Sequence, residues 1–107
     1  MAAHQPSGTV DFGYLEGFAA GDRQVVCEVL RLFQQQAEIW AGSLDGADPG
    51  WRDVVHTIKG AARGVGANGL GEVCARAEAN GAAGLPAVRA ALTAAVTDIQ
   101  AYLGPQA

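Results

Sequence analysis

Apolar residues recur along most of the chain at the three- and four-residue spacing that is typical of amphipathic helices. The clearest case follows Asp22, a predicted N-cap, and runs from Arg23 to about Ser43. Its apolar stripe consists of Val26, Val29, Leu30, Phe33, Ala37, Trp40 and Leu44. A strip beside it, formed by Val25, Leu32, Gln36 and Ile39, widens the apolar arc. Two interpretations stay open, and they are compatible for different residues: coverage on two sides within a bundle, or a docking surface for a partner protein.

The same spacing predicts four more helices, separated by breaks rich in glycine, proline and aspartate. In chain order the five predicted helices cover 12–20, 23–43, 49–65, 69–80 and 86–103. Asp11 is the predicted N-cap of the first helix, and Asp48 followed by Pro49 is the predicted start of the third. No segment shows the alternation of a β-strand. Because the connections between the four long helices are short, we predict an all-α fold, an antiparallel four-helix bundle with a short additional N-terminal helix.

Length and composition limit the number of domains that the chain can form. The chain has 107 residues, half of them hydrophobic, which allows one packed domain and excludes a largely disordered protein. Residues 1–10 are polar and include a proline and a glycine, so we predict a flexible N-terminal tail there. Residues 11–104 are predicted to form the single helical domain.

Charge and hydropathy narrow the functional class. A formal charge of −4 and a pI of about 4.9 argue against a nucleic-acid-binding protein, which usually carries a basic face. We find no apolar run of the roughly 18–20 residues that a membrane span needs. The N-terminus also lacks the features of a signal peptide, so we expect a cytoplasmic protein with no membrane contact. Cys27 and Cys74 are predicted to be buried thiols.

The third predicted helix carries the candidate chemistry. At about 100° per residue, one of its faces groups four residues, His56, Lys59, Gly60 and Arg63. The apolar residues of the helix lie on the opposite face, so the imidazole of His56 is predicted to reach water. A neutral imidazole is a nucleophile toward an activated phosphoryl group. Lys59 is placed to neutralise phosphate oxygens, and Arg63 to do the same or to pair with an acid of a partner. Gly60 leaves room beside the ring for an incoming surface.

Twelve residues of this region, HTIKGAARGVGA from His56 to Ala67, resemble the signature of histidine-containing phosphotransfer (HPt) domains. That signature is a histidine, then Lys-Gly at the third and fourth following positions, small residues, and Gly-Ala at the tenth and eleventh. Phe33 stands in the preceding helix, where the family usually has an aromatic residue. The following helix matches at Leu70, Cys74 and Glu78. The resemblance therefore covers most of the chain.

The resemblance implies a role for each residue of the candidate site. His56 would accept a phosphoryl group on Nε2 from the phospho-aspartate of a response-regulator receiver domain and pass it to another receiver. Lys59 would steady the phosphate, and Gly60 would permit the receiver to dock. In this family a polar side chain of the preceding helix often hydrogen-bonds the other ring nitrogen. Gln36 is our candidate for that bond, with Gln35 and Gln34 as alternatives.

The resemblance also implies the partners. These are receiver domains, for example one in a hybrid histidine kinase and one in a downstream regulator. No cofactor or metal is expected on this chain, because the receiver would supply the acidic pocket and Mg²⁺. A monomer is the simpler expectation. We predict a phosphoryl carrier without kinase activity of its own, since the sequence shows no nucleotide-binding motif in a suitable context.

Other functions remain as alternatives. A non-catalytic module that docks on receiver domains would use the apolar strip of the second helix and would not need His56. The dimerisation domain of a histidine kinase would place an acid directly after the histidine, where this chain has Thr57. A helix-turn-helix regulator is disfavoured by the acidic charge. A lone surface histidine without function is the simplest alternative, and the match to a whole family signature argues against it.

Overall fold

The computed structural model describes residues 10–104, which form five α-helices and one short 3-10 turn. The helices are α1 (Phe12–Phe18), α2 (Arg23–Ala41), α3 (Trp51–Val65), α4 (Asn68–Asn80) and α5 (Leu85–Leu103), and the 3-10 turn Ala82–Gly84 precedes α5. This part of the chain contains no strand. The prediction of an all-α protein with four long helices and a short N-terminal helix is confirmed.

The four long helices close into an antiparallel bundle. The α3–α4 pair is the most extensively packed, α4 also packs on α5, and α2 lies against both α5 and α3. The largest fully buried side chains are contributed by all five helices and the loop after α2, namely Phe12, Leu30, Leu44, Ile58, Leu70 and Ile99. This packing flanks α3 with α2 on one side and α4 on the other. We call the exposed face of α3, which carries His56, Gly60 and Arg63, the α3 ridge. It lies between two different neighbours, α2 and α4.

Asp11 and Asp22 are the N-caps of α1 and α2, as predicted, but the third helix begins later than predicted. The Asp22 carboxylate accepts a hydrogen bond from the backbone N–H of Val25, and that of Asp11 accepts one from Tyr14. Asp48 instead closes a turn, because its carboxylate accepts from the N–H of Gly50 at 2.8 Å, and α3 begins only at Trp51. The predicted N-cap role of Asp48, and the helical start at Pro49, are therefore wrong.

The segment before α1 is anchored to the turn between α3 and α4. The backbone N–H of Asp11 donates to the carbonyl of Gly66 at 2.8 Å. Gly66 has a φ of +89°, and a Cβ at this position would come within 2.5 Å of the Asp11 carbonyl oxygen, so the contact requires glycine. Val10, the last residue of the predicted tail, is fully buried in the core. The rest of the predicted tail, residues 1–9, lies outside the described residues.

The last helix is more apolar than the sequence analysis recognised. By length and composition alone, the segment Ala82–Leu103 could cross a membrane, with a mean hydropathy of 1.2 over its 18-residue window. The core helix of a bundle passes the same test. Here α5 buries Val88, Leu92, Ala95 and Ile99 against the other helices, and alanines supply much of its apolar character.

Both cysteines are free thiols, as predicted. Cys74 of α4 is fully buried, and Cys27 of α2 is partly buried. Burial raises the pKa of Cys74 to about 11, and the negative charge of Glu78 acts in the same direction.

Candidate functional site

His56 lies in the middle of α3 and points into solvent, with 72% of its side chain exposed. The pattern of α3 explains this placement, because Val55, Ile58, Ala62 and Val65 bury the opposite face. The predicted exposure of the imidazole is confirmed.

One carboxylate joins His56 to Lys59. Nδ1 of His56 lies 2.8 Å from Oε2 of Glu78 on α4, and Nζ of Lys59 forms an ion pair with Oε1 of the same carboxylate. Lys59 and Glu78 are each only 21% exposed, so the pair lies in the crevice between α3 and α4. The structure therefore brings two of the predicted site residues together through a third that the sequence analysis did not assign to the site.

The charge state of Glu78 determines the tautomer of the ring. Hydrogen bonding to Lys59 lowers the pKa of Glu78, partial desolvation opposes this shift, and the bond to His56 lowers the pKa further. At neutral pH the carboxylate is ionised and can only accept hydrogen bonds. Nδ1 of a neutral His56 must then carry the proton and donate it to Glu78. The lone pair of Nε2 is left facing solvent.

Arg52 links α3 to α4 beside this cluster. Its guanidinium donates from Nη1 to the backbone carbonyl of Glu78 and lies 4.6 Å above the ring of Trp51. The accepting carbonyl belongs to the last turn of α4, where a nearby cation is favourable for the helix dipole. Arg52 thus ties the start of α3 to the end of α4 and fixes the backbone that carries the glutamate.

Arg63 lies on the α4 side of the ridge but outside this cluster. Its aliphatic stem covers Gly71, where a Cβ would come within 3.1 Å of Arg63 Cγ. The exposed guanidinium forms no ion pair with any residue between 10 and 104. Its predicted contact with phosphate stays a prediction.

Two glycines open the other side of the ridge. Gly60 and Gly64 are exposed, and a Cβ on either would meet no atom within 4 Å. Internal packing therefore does not require glycine at these positions. A free surface beside His56 is consistent with the predicted docking role of Gly60, which no contact within the chain can test.

Beside these glycines, α2 presents an apolar surface to solvent. A shallow groove between α2 and α3 is lined by Val29, Leu32, Phe33, Gln36, Trp40, Ala61, Gly64 and Val65. Along α2, Val25, Leu32 and Ile39 remain 42%, 58% and 65% exposed. We call Val25, Leu32, Gln36 and Ile39 the α2 strip. The described part of the bundle, residues 10–104, leaves it uncovered, so packing within that part does not account for it.

The structure corrects the predicted hydrogen-bond partner of His56. Nδ1 is bonded to Glu78 rather than to a glutamine of α2. Gln36 lines the groove between α2 and α3, Gln35 lies in a groove between α2 and α5, and Gln34 donates to Gln100 of α5 at 3.0 Å. The polar side chain that holds the ring comes from the helix after His56, not from the helix before it.

A simple property of helical hairpins identifies Glu78. In an antiparallel pair, residues equally distant from the turn lie at the same level. His56 is eleven residues before Ala67 and Glu78 is eleven residues after it, while Arg63 and Gly71, which also touch, are each four residues from Ala67. This count uses only the predicted helix boundaries. Applied to the sequence, it would have placed an acid at the level of the histidine, without showing which way that acid faces.

Within residues 10–104, no group of three or more histidines, cysteines or acids is placed to hold a metal ion. The chemical resources of the site are therefore an exposed imidazole nitrogen, one ammonium, one carboxylate and the arginines along the α4 side.

Comparison with known proteins agrees with this geometry. The family model for the Hpt domain matches residues 24–102, a span that begins in α2 and ends in α5. Among solved structures, the crystal structure of the histidine phosphotransferase ShpA from Caulobacter crescentus is similar to this chain. The two share 62% sequence identity and a TM-score of 0.81, over 88% of this chain and 89% of ShpA. No curated protein sequence gives a significant match.

Proposed function

The chain belongs to the Hpt domain family, and we propose that it carries phosphoryl groups between receiver-domain aspartates in a two-component phosphorelay, with His56 as the phosphoacceptor. One observation supports the residue assignment above all others. His56 is the exposed histidine whose Nδ1 is bonded to a carboxylate, which leaves Nε2 as a nucleophile facing solvent.

The transfer step follows from this arrangement. Nε2 attacks the phosphorus of the acyl phosphate on a receiver aspartate, the P–O bond to that aspartate breaks, and the carboxylate leaves with the bonding electrons. The ring gains positive charge while Nδ1 keeps its proton. Glu78 stabilises that charge through the Nδ1 hydrogen bond, as a carboxylate does for the base of a catalytic triad. The reverse reaction delivers the phosphoryl group to another receiver.

We propose that the cations of α3 stabilise the charge that develops on the phosphoryl group. Lys59 is one turn from His56 and already part of its cluster, which supports a contact of its ammonium with the phosphoryl oxygens. Arg63 lies one turn further along the same side and has no competing ion pair among the described residues. We assign phosphate stabilisation to Lys59 first and to Arg63 second.

The α2 side of the ridge is the proposed docking surface for the receiver. The α2 strip offers apolar contact area, and Gly60 and Gly64 let a partner's surface approach His56 closely. Hpt proteins of phosphorelays interact with receiver domains generally. For this chain we propose two such partners, one of them in a hybrid kinase and one in a downstream regulator, with Mg²⁺ and the acidic pocket on the receiver. We propose further that the chain acts as a cytoplasmic monomer without kinase activity of its own.

The decisive experiment is transfer of a radiolabelled phosphoryl group from a phosphorylated receiver domain. Wild type is expected to take up a label that is stable to base and labile to acid, as a phosphohistidine is. The variant His56→Gln is expected to take up none while it stays folded, because the side chain is exposed. His4→Gln is the matched control, since His4 is the other histidine of the chain and is expected to be dispensable. Labelling of His56→Gln equal to wild type would contradict the assignment.

The uncovered α2 strip also favours a second candidate, a module that docks on receivers without accepting phosphate. The same experiment separates the two functions. Binding to a panel of phosphorylated receivers, with no label on wild type, would support the docking module and reject the carrier.

A further inference from the structure

Lys59 is the only lysine in the chain, and the other six basic residues are arginines. The two cations differ in a way that matters at this site. Arginine holds carboxylates in a rigid two-pronged geometry, whereas the ammonium of lysine is compact and sits on a flexible stem with three donors. A lysine can therefore leave one anion for another by rotating its side chain. At rest the partner of Lys59 is Glu78.

Phosphorylation of His56 changes the electrostatics of this pair. The Glu78 carboxylate contacts Nδ1, and the phosphoryl group arrives on Nε2 of the same ring. Two anionic groups then flank one imidazole, and like charges a few ångströms apart repel each other. Lys59 is the ammonium that both anions can compete for.

We propose that Glu78 is the resting counter-ion of Lys59, and that phosphorylation moves Lys59 from Glu78 to the phosphoryl group. Relative to a site without the Glu78 charge, the free energy of the phosphorylated state is raised in two ways, which together outweigh the attraction of Glu78 for the positively charged ring. The exchange breaks the Lys59–Glu78 ion pair, and it leaves the Glu78 charge near the phosphoryl group. The chain is thereby set to pass phosphate on rather than to store it. The inference rests on the proposed carrier function and concerns how strongly the site holds the group.

Glu78→Gln tests this exchange, because the amide oxygen can still accept the Nδ1 proton while the charge is gone. Lys59 then has no resting partner to lose. The equilibrium between phosphorylated receiver and this protein is expected to move toward phosphohistidine by about tenfold. A residue that only orients the ring would change the forward and reverse rates together and leave this equilibrium unchanged.

The measurement is the distribution of radiolabel between an isolated receiver domain and this protein, approached from both directions. Glu72→Gln is the matched control, since Glu72 is an exposed glutamate on the same helix that makes no ion pair with the described residues. It changes the net charge equally and is expected to shift the equilibrium less than about twofold. An unchanged equilibrium in Glu78→Gln, or a shift toward the receiver, would overturn the proposal.

A second measurement follows Lys59 directly and needs no variant. Selective ¹³C,¹⁵N-lysine labelling gives one lysine side-chain signal set, because the chain has one lysine. Phosphorylation with phosphoramidate, a small phosphoryl donor, is expected to shift these signals in wild type. A phosphorylated protein whose lysine signals do not move would reject the exchange and leave the carrier function intact. Failure of both phosphoramidate and receivers to modify His56 would reject the carrier function itself, and the exchange with it.

Discussion

The two sides of the α3 ridge differ in almost every physical respect, although both border His56. On the α4 side, Glu78, Lys59 and Arg52 form a cluster of charged groups whose partners lie within the chain. On the α2 side, Gly60 and the α2 strip face solvent, and packing among the described residues does not require glycine or apolar side chains there. Charged groups that are paired within the chain can orient a nucleophile, whereas exposed apolar groups can bind a partner protein. The α4 side therefore serves the reactivity of His56, and the α2 side serves the docking of the receiver.

Two phosphoryl donors turn this separation into an experiment. Phosphoramidate is small and needs no docking surface, whereas a phosphorylated receiver needs both chemistry and docking. Variants on the α4 side are expected to react more slowly with both donors. Variants on the α2 side are expected to fail with the receiver alone.

The largest effect after loss of His56 itself is expected for Lys59→Ala. It removes the ammonium nearest the transferred group, and loss of one charge-stabilising donor typically costs about 10²–10³ in rate. Both donors are expected to show the loss in single-turnover labelling. Arg76→Ala, a change at an exposed arginine elsewhere on α4, serves as the control. A loss with the receiver only would move Lys59 to the docking side of the comparison.

Gly60→Gln is expected to block the receiver and spare phosphoramidate. A side chain at this open position reaches into the space that a docking partner would occupy, and we expect at least about a tenfold loss of receiver transfer. Gly60→Ala adds a Cβ that meets no atom and is expected to raise the free energy of unfolding by about 1 kcal/mol. Urea denaturation measures the second effect. Normal receiver transfer by Gly60→Gln would remove the glycine from the docking surface.

Leu32→Asp tests the α2 strip with a smaller expected effect. It places a charge at an exposed apolar position, so receiver affinity is expected to fall by about tenfold while stability changes little. Isothermal titration against a receiver domain measures the affinity. Thr93→Asp, at an exposed position of α5, is the control for the change in net charge. Leu103→Asp would not serve, because Leu103 packs on the core. Equal losses in both variants would mean that net charge, not the strip, controls binding.

The smallest effect concerns pH. Because the pKa of Glu78 is lowered in the folded state, its contribution to stability is present above the ordinary glutamate value of 4.5 and is lost as the pH falls through the lowered pKa. Wild type is therefore expected to lose its stability advantage over Glu78→Gln on acidification from pH 7 to 3. Urea midpoints across that range measure this. An advantage that persists at the acid end would contradict an ionic role for the carboxylate.

The sequence predicted one side of this comparison better than the other. Helical periodicity placed His56, Lys59 and Gly60 on one exposed face, because a period of 3.6 residues defines the faces of a single helix. It also left the α2 strip as a candidate docking surface. These are properties of one helix at a time.

The partner of Nδ1 was missed because it depends on how two helices are rotated against each other. Gln36 and His56 are each ten residues from Gly46, so they lie at similar levels, yet Gln36 lines the α2–α3 groove. Glu78 matches His56 in level and also faces it. Level can be counted from the turn, whereas rotation follows from the packing of the whole core. The burial of Val10 was not predicted either; its neighbour Asp11 is hydrogen-bonded to Gly66, a residue far away in the sequence.

The most direct test of the account is the state of the two ring nitrogens of His56. Long-range ¹H–¹⁵N correlations on ¹⁵N-histidine-labelled protein report the tautomer at neutral pH, and ¹⁵N–³¹P coupling after reaction with phosphoramidate reports the site of phosphorylation. We predict that Nδ1 carries the proton in the neutral form of the ring before reaction, and that phosphorus is on Nε2 afterwards. A proton on Nε2 in the resting protein, or phosphorus on Nδ1, would contradict the arrangement of His56 and Glu78 on which the account depends.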